Sequence, residues 1–261
     1  MYITKSNVLI NKTPTSVQNG ENLNFDPASV TDPDFSTFYV STDNNRLTFD
    51  FGAVSNINYV AYAGLNIEGA RNFTSRVRVR DGSTIIATTF VSMNNCVLVT
   101  FPSRSFSNLR VGMLNELGET PPRVSFIAAG QAFKVPNGGE NSGYNRQFLN
   151  RNIKTKSTLS DIAAPVATLK KKISAKGALN LPNVTRSFSE STWQEFLDFS
   201  SSNIFFIREQ DPVNELGVEL ASSNNNSAYA CFDLARNKVS AHNQTRLLNN
   251  VSVSFKVFNG L

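Results

Sequence analysis

The sequence predicts a mainly β protein, and three observations carry that prediction. Charged residues are 17% of the 261 residues, so Asn, Ser and Thr must supply much of the polar surface, and these residues favour strands and turns over helices. Phenylalanine occurs 20 times, and aromatic side chains suit the pleated surface of a sheet. Short apolar segments also alternate with polar residues at a period of two, which is the pattern of half-buried strands.

Residues 1–130 contain a succession of these alternating segments. Asp81-Gly82 lies between two of them and is a turn signal typical of a β-hairpin. Short strands joined by turns at regular spacing predict a β-sandwich. The segments that show the pattern most clearly are 46–51, 76–80, 97–101 and 109–113.

Three arginines, Arg76, Arg78 and Arg80, occupy alternate positions and therefore one face of a predicted strand. Residues 1–130 hold ten Lys/Arg and ten Asp/Glu, so this half of the chain is neutral, and no aromatic side chain is interleaved with the arginines. The pattern therefore favours cross-strand pairing with carboxylates over nucleic-acid binding. We expect no sequence-specific nucleic-acid partner.

Residues 131–261 hold fifteen Lys/Arg and ten Asp/Glu, which accounts for the whole net charge of +5. The turn-rich segment 136–143 separates the two halves and predicts two domains, 1–130 and 131–261. Alternation over 172–181 predicts one strand with Lys172 and Lys176 on its outer face. Ser191-Thr-Trp-Gln194 matches a capping box, and Trp193, Phe196 and Leu197 follow at helical spacing. A short amphipathic helix that packs on the sheet is therefore predicted over 191–199. Apolar segments at 203–207, 228–234 and 251–257 complete a second β domain.

Few residues suggest catalysis. Cys96 and Cys231 lie in apolar segments and are predicted to be buried free thiols, and with the one histidine, His242, they are too few for a four-ligand zinc site. Known catalytic motifs are missing.

Glu209 and Asp211 supply the two carboxylates that glycoside cleavage requires, although a turn before a proline explains them equally well. The sequence therefore predicts no enzyme and no cofactor.

Three segments resemble the discoidin, or coagulation-factor type C, pattern: Asp32-Pro-Asp-Phe-Ser-Thr-Phe-Tyr39, Arg46-Leu-Thr-Phe-Asp-Phe-Gly52 and Ile57-Asn-Tyr-Val-Ala-Tyr-Ala63. In that family an acidic loop with a D-x-x-T-x-W core precedes a strand that ends in Asp-Leu-Gly, and here Tyr39 replaces the tryptophan. The resemblance covers about residues 25–130. It implies a jelly-roll, galactose-binding-like β-sandwich whose loops at one end bind glycans.

The same resemblance implies candidate site residues. Some family members hold a structural Ca²⁺ with the acidic loop, and Asp34 and Thr37 are the matching positions; an Asx-type turn capped by Asp32 and Asp34 is the alternative. A polar segment between two strand signals is predicted to contact a glycan on a host surface, with an inert loop as the alternative. Its candidate residues are Asn66, Glu68, Arg71 and Asn72.

The second half resembles the tail-tube fold of tailed bacteriophages. The order of strands, one helix and then strands carries this resemblance, with Tyr144-Asn-Arg-Gln-Phe-Leu-Asn-Arg151 at its start and Val-Ser-Val-Ser-Phe near its end. In that fold a β-sandwich or barrel carries a flanking α-helix and copies join into a ring. Distal tail proteins usually begin with this domain, so residues 1–25 belong either to the sandwich or to the second domain, which then carries the sandwich as an insertion.

Together the resemblances imply a virion structural protein, a distal tail protein that forms a homo-hexameric ring at the tail tip or baseplate. Its partners would be the tail tube, the hub and the tail fibres. The basic segment is predicted to form the assembly interface, with DNA contact as the alternative. Its residues are Lys170, Lys171, Lys172 and Lys176.

Two other functions stay open at this stage. One is a soluble or surface carbohydrate-binding module, and the other is a tail-associated glycan hydrolase. The first residues, Met1 to Ser6, form no signal-peptide segment, and the sequence has no apolar run of membrane-spanning length. We therefore expect assembly in a host cytoplasm and residence in the virion.

Overall fold

The computed structural model describes residues 1–18, 26–34, 36–42, 46–65, 76–90, 96–115, 121–136, 153–159, 165–172, 176–208, 228–233, 238–241 and 248–257. Within these residues the chain is mainly β, with a 3-10 helix at Pro27–Thr31 and one α-helical segment at 186–200, so the predicted fold class is confirmed. The strands are β1 Tyr2–Thr4, β2 Ser16–Gln18, β3 Tyr39–Val40, β4 Arg46–Asp50, β5 Val54–Ala63, β6 Arg76–Asp81, β7 Thr84–Phe90, β8 Cys96–Phe106, β9 Leu109–Leu114, β10 Arg123–Val124, β11 Phe126–Gly130, β12 Ala132–Lys134, β13 Ile153–Leu159, β14 Pro165–Lys172, β15 Lys176–Thr185, β16 Phe205–Arg208, β17 Ala228–Asp233, β18 Lys238–Ala241 and β19 Leu248–Val257.

Eight strands form a two-sheet sandwich. The five-stranded sheet has the order β2-β4-β9-β6-β7, the three-stranded sheet has the order β11-β5-β8, and every pair is antiparallel. Eight antiparallel strands in two sheets are the composition of a jelly roll. The hairpin of β6 and β7 turns at Gly82, whose φ of 58° is the left-handed conformation that a tight hairpin turn requires.

A second, larger sheet has the order β12-β1-β16-β17-β19-β15, and β18 pairs with β19. The first strand of the chain, β1, lies between β12 and β16, with Ile3 opposite both Phe133 and Ile207. This pairing is the arrangement expected if the first residues belong to the second domain. The boundaries 1–130 and 131–261 stay a prediction.

A helical segment, 186–200, packs on the second sheet and begins five residues before the predicted capping box. Its N-cap is Thr185, whose Oγ1 accepts a hydrogen bond of 3.2 Å from the Phe188 N–H. The predicted cap at Ser191 is wrong, because Ser191 lies inside the helical segment and its hydroxyl donates to the carbonyl of Ser187 at 2.7 Å. The helix begins earlier because β15 ends at a threonine that can cap it.

The apolar face of this helix follows the predicted spacing. Trp193 and Phe196 are fully buried, with ring centroids 5.0 Å apart, and Leu197 is partly buried beside them. Phe196 also meets Phe205 of the underlying sheet edge-to-face at 5.1 Å. The helix is therefore held by its aromatic contacts with the second sheet.

The predicted strand over 172–181 is confirmed from Lys176 onward, where buried and exposed residues alternate as far as Leu181, but it is wrong in including Lys172. β14 ends at Lys172 and pairs with β13 in a two-stranded sheet, whereas β15 begins at Lys176 and pairs with β19 in the second sheet. Residues 173–175 lie outside the described part of the chain. The two lysines therefore lie on strands of different sheets, because the chain changes sheet between them.

Strand β5 is buried on both faces. Val60 and Tyr62 belong to the core inside the sandwich, whereas Tyr59 and Ala61 belong to a separate core together with Phe206 of the second sheet. An apolar strand without polar alternation is what burial on two faces requires. The three-stranded sheet is thus the middle layer between the five-stranded sheet and the second sheet.

Candidate functional site

Several predicted site residues lie outside the part of the chain that the structure describes, and they stay predictions. These are Asn66, Glu68, Arg71, Asn72, Glu209, Asp211 and His242. Of the basic segment, Lys170, Lys171 and Lys172 lie at the end of β14, and the backbone register places Lys171 opposite Lys154 of β13. Their role in assembly stays a prediction as well.

The acidic loop forms a turn closed by its own side chains. Asp34 Oδ1 accepts a 2.8 Å hydrogen bond from the Ser36 N–H, and Thr37 Oγ1 donates to the Asp34 carbonyl at 2.8 Å. The hydrogen bonds from Ser36 hold the pKa of Asp34 below its ordinary value. This is the geometry of the Asx-type turn named as the alternative to a Ca²⁺ site. Among the described residues, no group of three or more His, Cys, Asp or Glu side chains could hold a metal ion.

One end of the sandwich is closed around Asp50, the aspartate of the Asp-Phe-Gly segment. Its Oδ2 accepts hydrogen bonds of 2.9 Å from both Asn108 Nδ2 and Arg110 Nε, and its Oδ1 accepts one of 3.0 Å from the Gly52 N–H. Burial alone would raise the pKa of Asp50, but these hydrogen bonds outweigh it and the pKa is lowered. Asp50 therefore stabilises the loops at this end of the sandwich.

A second aspartate closes the same end. Asp81 Oδ1 accepts hydrogen bonds from the Asn108 N–H at 3.0 Å and from the Ser107 hydroxyl at 2.8 Å, and Oδ2 lies 3.4 Å from Arg104 Nη2. The backbone hydrogen bond from Asn108 and the side-chain bond from Ser107 lower the pKa of Asp81. With their oxygens engaged in this way, Asp50 and Asp81 act as structural anchors.

The outer face of the five-stranded sheet carries a cluster of four arginines, which we call the arginine face: Arg46, Arg76, Arg78 and Arg80. The three on β6 alternate with fully buried valines and are themselves partly exposed. Arg46 is exposed at the start of β4, and both it and Arg76 pair in register with Leu114 of β9. At about 3.3 Å per residue and about 4.8 Å between strands, the Cα atoms of this face span about 13 by 10 Å.

The prediction that these arginines pair with carboxylates across the sheet is wrong for Arg78 and Arg80, since neither forms an ion pair within the described part of the chain. The cross-strand neighbours of Arg78 are Thr88 of β7 and Gly112 of β9. The Nε atom of Arg78 is buried and has no hydrogen-bond partner among the described residues. Burial, followed by the charges of Arg76, Arg80 and Arg46, lowers the pKa of Arg78. Positive charge is therefore concentrated at the centre of the face.

Three cross-strand rows make up the face, led on β6 by Arg76, Arg78 and Arg80, and the row of Arg80 also contains a second arginine and an apolar residue. Arg80 lies opposite Ile85 of β7 and Arg110 of β9. The charge of Arg110 is balanced by Asp50, whereas Ile85 is 52% exposed. Within the described part of the chain, Arg46, Arg78 and Arg80 form no ion pair. The face thus combines the guanidinium groups of Arg46, Arg78 and Arg80 with threonine hydroxyls, a glycine and apolar side chains such as Ile85 and Leu114.

The other broad face of the sandwich is covered by the second sheet. Phe126 of β11 stacks on Phe206 of β16 with ring centroids 6.1 Å apart. Arg208, at the end of β16, is 3% exposed; its Nη1 donates to the Leu98 carbonyl at 3.0 Å and its Nη2 to Thr100 Oγ1 at 2.9 Å, both on β8. Sequence reasoning missed Arg208, because nothing in a short apolar strand identifies the distant carbonyl that its last residue contacts.

The two cysteines, Cys96 and Cys231, are both free and buried, as predicted. Burial raises the pKa of each thiol, and the proximity of Cys96 raises that of Cys231 further. Both thiols are therefore in the protonated form at neutral pH. Separately, no helix in the described residues is long and apolar enough to cross a membrane.

Comparison with protein-family models gives no match, and comparison with curated proteins gives none. Among solved structures, the chain is similar to chitosan-binding module 1 of a chitosanase/glucanase from Paenibacillus sp. IK-5, with 16% identity and a TM-score of 0.39 over 48% of this chain and 99% of that one. It is also similar to a Streptococcus pneumoniae fucose binding module, with 17% identity and a TM-score of 0.38 over 48% and 94% of the two chains.

A third similar structure is the lectin domain of lectinolysin complexed with Lewis B antigen, with 13% identity and a TM-score of 0.37 over 48% of this chain and 96% of that one. The sandwich is defined by the strand order and register of the chain itself. That order defines a β protein in which a jelly-roll sandwich, docked on a second sheet by one face, presents arginines on the other.

Proposed function

We propose that this protein binds carbohydrate through its sandwich and that it is not an enzyme. The observation that carries the proposal is the difference between the two broad faces of the sandwich. The second sheet covers one face, while the arginine face presents hydrogen-bond donors that no described side chain engages at Arg46, Arg78 or Arg80. Sugar hydroxyl and acidic groups are recognised by a small number of such polar groups beside apolar surface.

The state of two aspartates, Asp50 and Asp81, supports a role without catalysis. A glycosidase needs two carboxyl groups that face the substrate. Asp50 and Asp81 instead accept hydrogen bonds from the loops around them, and both have lowered pKa values. A general acid requires the opposite, a raised pKa.

A glycan array with the full chain tests the proposal, followed by calorimetry on any ligand found. We expect saturable binding to at least one glycan class and no release of reducing ends from it. Binding to no glycan would overturn the proposal, and turnover would replace it with the glycan hydrolase. Arg71→Ala and Arg78→Gln then separate the two regions: the first variant tests the predicted loop and the second tests the arginine face.

A second candidate function, a ring-forming distal tail protein of a phage virion, is favoured by the position of β1. Because β1 pairs with β12 and β16, the eight strands of the sandwich lie between strands of the second sheet in the sequence, as expected for a sandwich inserted into a tail-tube-like domain. In that role the second sheet would build the homo-hexamer, and the sandwich would project towards host glycans.

The mass of the native assembly tests this second candidate. A hexamer by native mass spectrometry supports it, and a monomer at high protein concentration contradicts it. Lys172→Glu with Lys176→Glu tests the predicted interface, because a ring held by these lysines would dissociate while the protomer stays folded. Normal assembly of the double variant would remove the lysines from the interface.

A further inference from the structure

We propose that the arginine face binds an acidic polysaccharide, a linear glycan with carboxylate or sulfate groups along its chain. This inference rests on the proposed function and names the ligand class and the surface. The first step of the argument is geometric. Arg76, Arg78 and Arg80 are spaced along β6 by about 6.6 Å per pair of residues, so the face offers a repeated row of cations.

The second step concerns the charge. Arg46, Arg78 and Arg80 form no ion pair within the described residues, and their guanidinium groups repel one another, so a bound anion gains both attraction and relief of that repulsion. Asp50 shares this side of the sheet, but Arg110, Asn108 and the Gly52 N–H engage it. The domain sequence is neutral over residues 1–130, with ten basic and ten acidic residues. The positive potential is therefore a local property of this face.

The third step concerns shape. Gly112 lies beside Arg78 in the central row, and a Cβ atom there would lie 3.1 Å from Thr48 Oγ1. The lack of a side chain at Gly112 leaves the middle of the face low between arginines on β6 and Arg46 on β4. An extended polymer can lie along such a surface while guanidinium groups form paired hydrogen bonds with its carboxylates or sulfates.

The fourth step separates polysaccharide from nucleic acid. Single-stranded nucleic acid is bound by aromatic side chains that stack on bases. The described outward residues of β4, β6 and β9 include no aromatic; they are Arg46, Thr48, Asp50, Arg76, Arg78, Arg80, Arg110 and Leu114. On β7 the register places one aromatic residue, Phe90, opposite Arg76 at a corner of the face, so the described strands offer no row of aromatic residues on which successive bases could stack. Thr88 and the exposed Ile85 on β7 supply a hydroxyl and an apolar surface, which suit the mixed polarity of a sugar ring.

The test measures the affinity of the full chain for alginate, for heparin and for neutral dextran, with single-stranded DNA as a competitor. We expect binding to alginate or heparin, no binding to dextran, and weak competition by DNA. The affinity should fall steeply between about 0.1 M and about 1 M NaCl, as the Debye length drops from about 10 to about 3 Å.

Two variants locate the surface. Arg78→Gln should weaken binding about tenfold, the effect of one lost charge-assisted contact. Arg186→Gln removes the same charge from the exposed start of the helical segment and should leave affinity unchanged. Thermal melting shows that each variant is folded. The salt dependence of the affinity of the unmodified protein measures independently how much charge attraction contributes to binding.

Each of the other outcomes overturns the inference. Binding to neutral glycans alone, unaffected by Arg78→Gln, leaves the proposed function standing and removes this ligand class. Preferred binding to DNA assigns the face to nucleic acid. Equal losses in Arg78→Gln and Arg186→Gln indicate general charge attraction rather than this face, and absence of binding to any glycan overturns the proposed function together with the inference.

Discussion

The two outer faces of the sandwich follow the same alternation of side chains but have opposite polarity. On the three-stranded sheet the outward side chains are apolar and join a core with the second sheet, as Tyr59, Leu98 and Phe126 do. On the five-stranded sheet the outward positions of β6 are arginines. A sheet face packs on protein when its outward residues are apolar and stays in water when they are charged. The difference shows how one sandwich can be both a structural layer and a binding surface.

The largest effect is expected from a substitution in the covered face of the sandwich. Phe206→Ala should destabilise the protein by about 3–5 kcal/mol, because it leaves a cavity against Phe126 between the two sheets. Urea denaturation measures the change in the free energy of unfolding. Ile85→Ala, an exposed apolar residue on the opposite face, is the control and should change stability by no more than about 0.5 kcal/mol. Equal effects would contradict the contrast between the faces.

The next effect concerns the buried polar link across the covered face. Arg208→Ala removes the donors to the Leu98 carbonyl and Thr100 Oγ1 and should cost about 2–3 kcal/mol. Arg208→Lys keeps the charge but cannot donate from two positions, so it should recover only part of that loss. Hydrogen exchange of β8 and β16 amides checks whether the sheets separate first. Unchanged exchange in Arg208→Ala would show that the apolar contacts alone hold the layers together.

A smaller effect is expected at the closed end of the sandwich. Asp50→Ala should cost about 2 kcal/mol, because it removes the acceptor for Asn108 and Arg110. Asp34→Ala, in the exposed turn, is the matched control, with a change of about 0.5 kcal/mol or less. A large loss at Asp34 would instead indicate a tighter structural role for the acidic turn, such as a bound cation.

The lowered pKa of Asp50 also sets a pH dependence. A carboxylate with a folded-state pKa below its unfolded value stabilises the protein fully above the unfolded value of about 3.9, and this contribution is lost as the pH falls through the folded pKa. We therefore expect the melting temperatures of the unmodified protein and Asp50→Asn to converge below about pH 4. A constant difference in melting temperature across this range would contradict the assignment.

The smallest effect is expected on the arginine face. Arg78→Gln should leave the free energy of unfolding within about 0.5 kcal/mol of the unmodified protein and raise it slightly at low salt, since like charges lie around Arg78. The gain should vanish at about 1 M NaCl. Arg186→Gln breaks an exposed ion pair with Glu190, so it should change stability in the opposite direction. Destabilisation by Arg78→Gln would show that Arg78 has a structural partner.

Local sequence determined the local elements of this protein. The period-two alternation predicted β4, β6 and β9, Asp81-Gly82 predicted the hairpin turn, and helical spacing predicted that Trp193 and Phe196 are buried. The capping box at Ser191 failed because Thr185, outside the predicted helix, was a better-placed cap. Patterns of this kind report on neighbours within a few residues, so they fix a strand or turn and leave its partners open.

Only the tertiary structure decided which strands pair and which distant groups the side chains contact. On β6, Arg78 lies opposite a threonine and a glycine, and Arg80 lies opposite an isoleucine and another arginine. Strand β1 pairs with strands more than 120 residues away in the chain, and Arg208 contacts the Leu98 carbonyl across 110 residues. The apolar side chains of β5 belong alternately to two different cores, and the distant strands that pack on each face of β5 decide which core each side chain joins. Non-local pairing is set by the combined burial of many residues, and no single segment of the sequence contains that information.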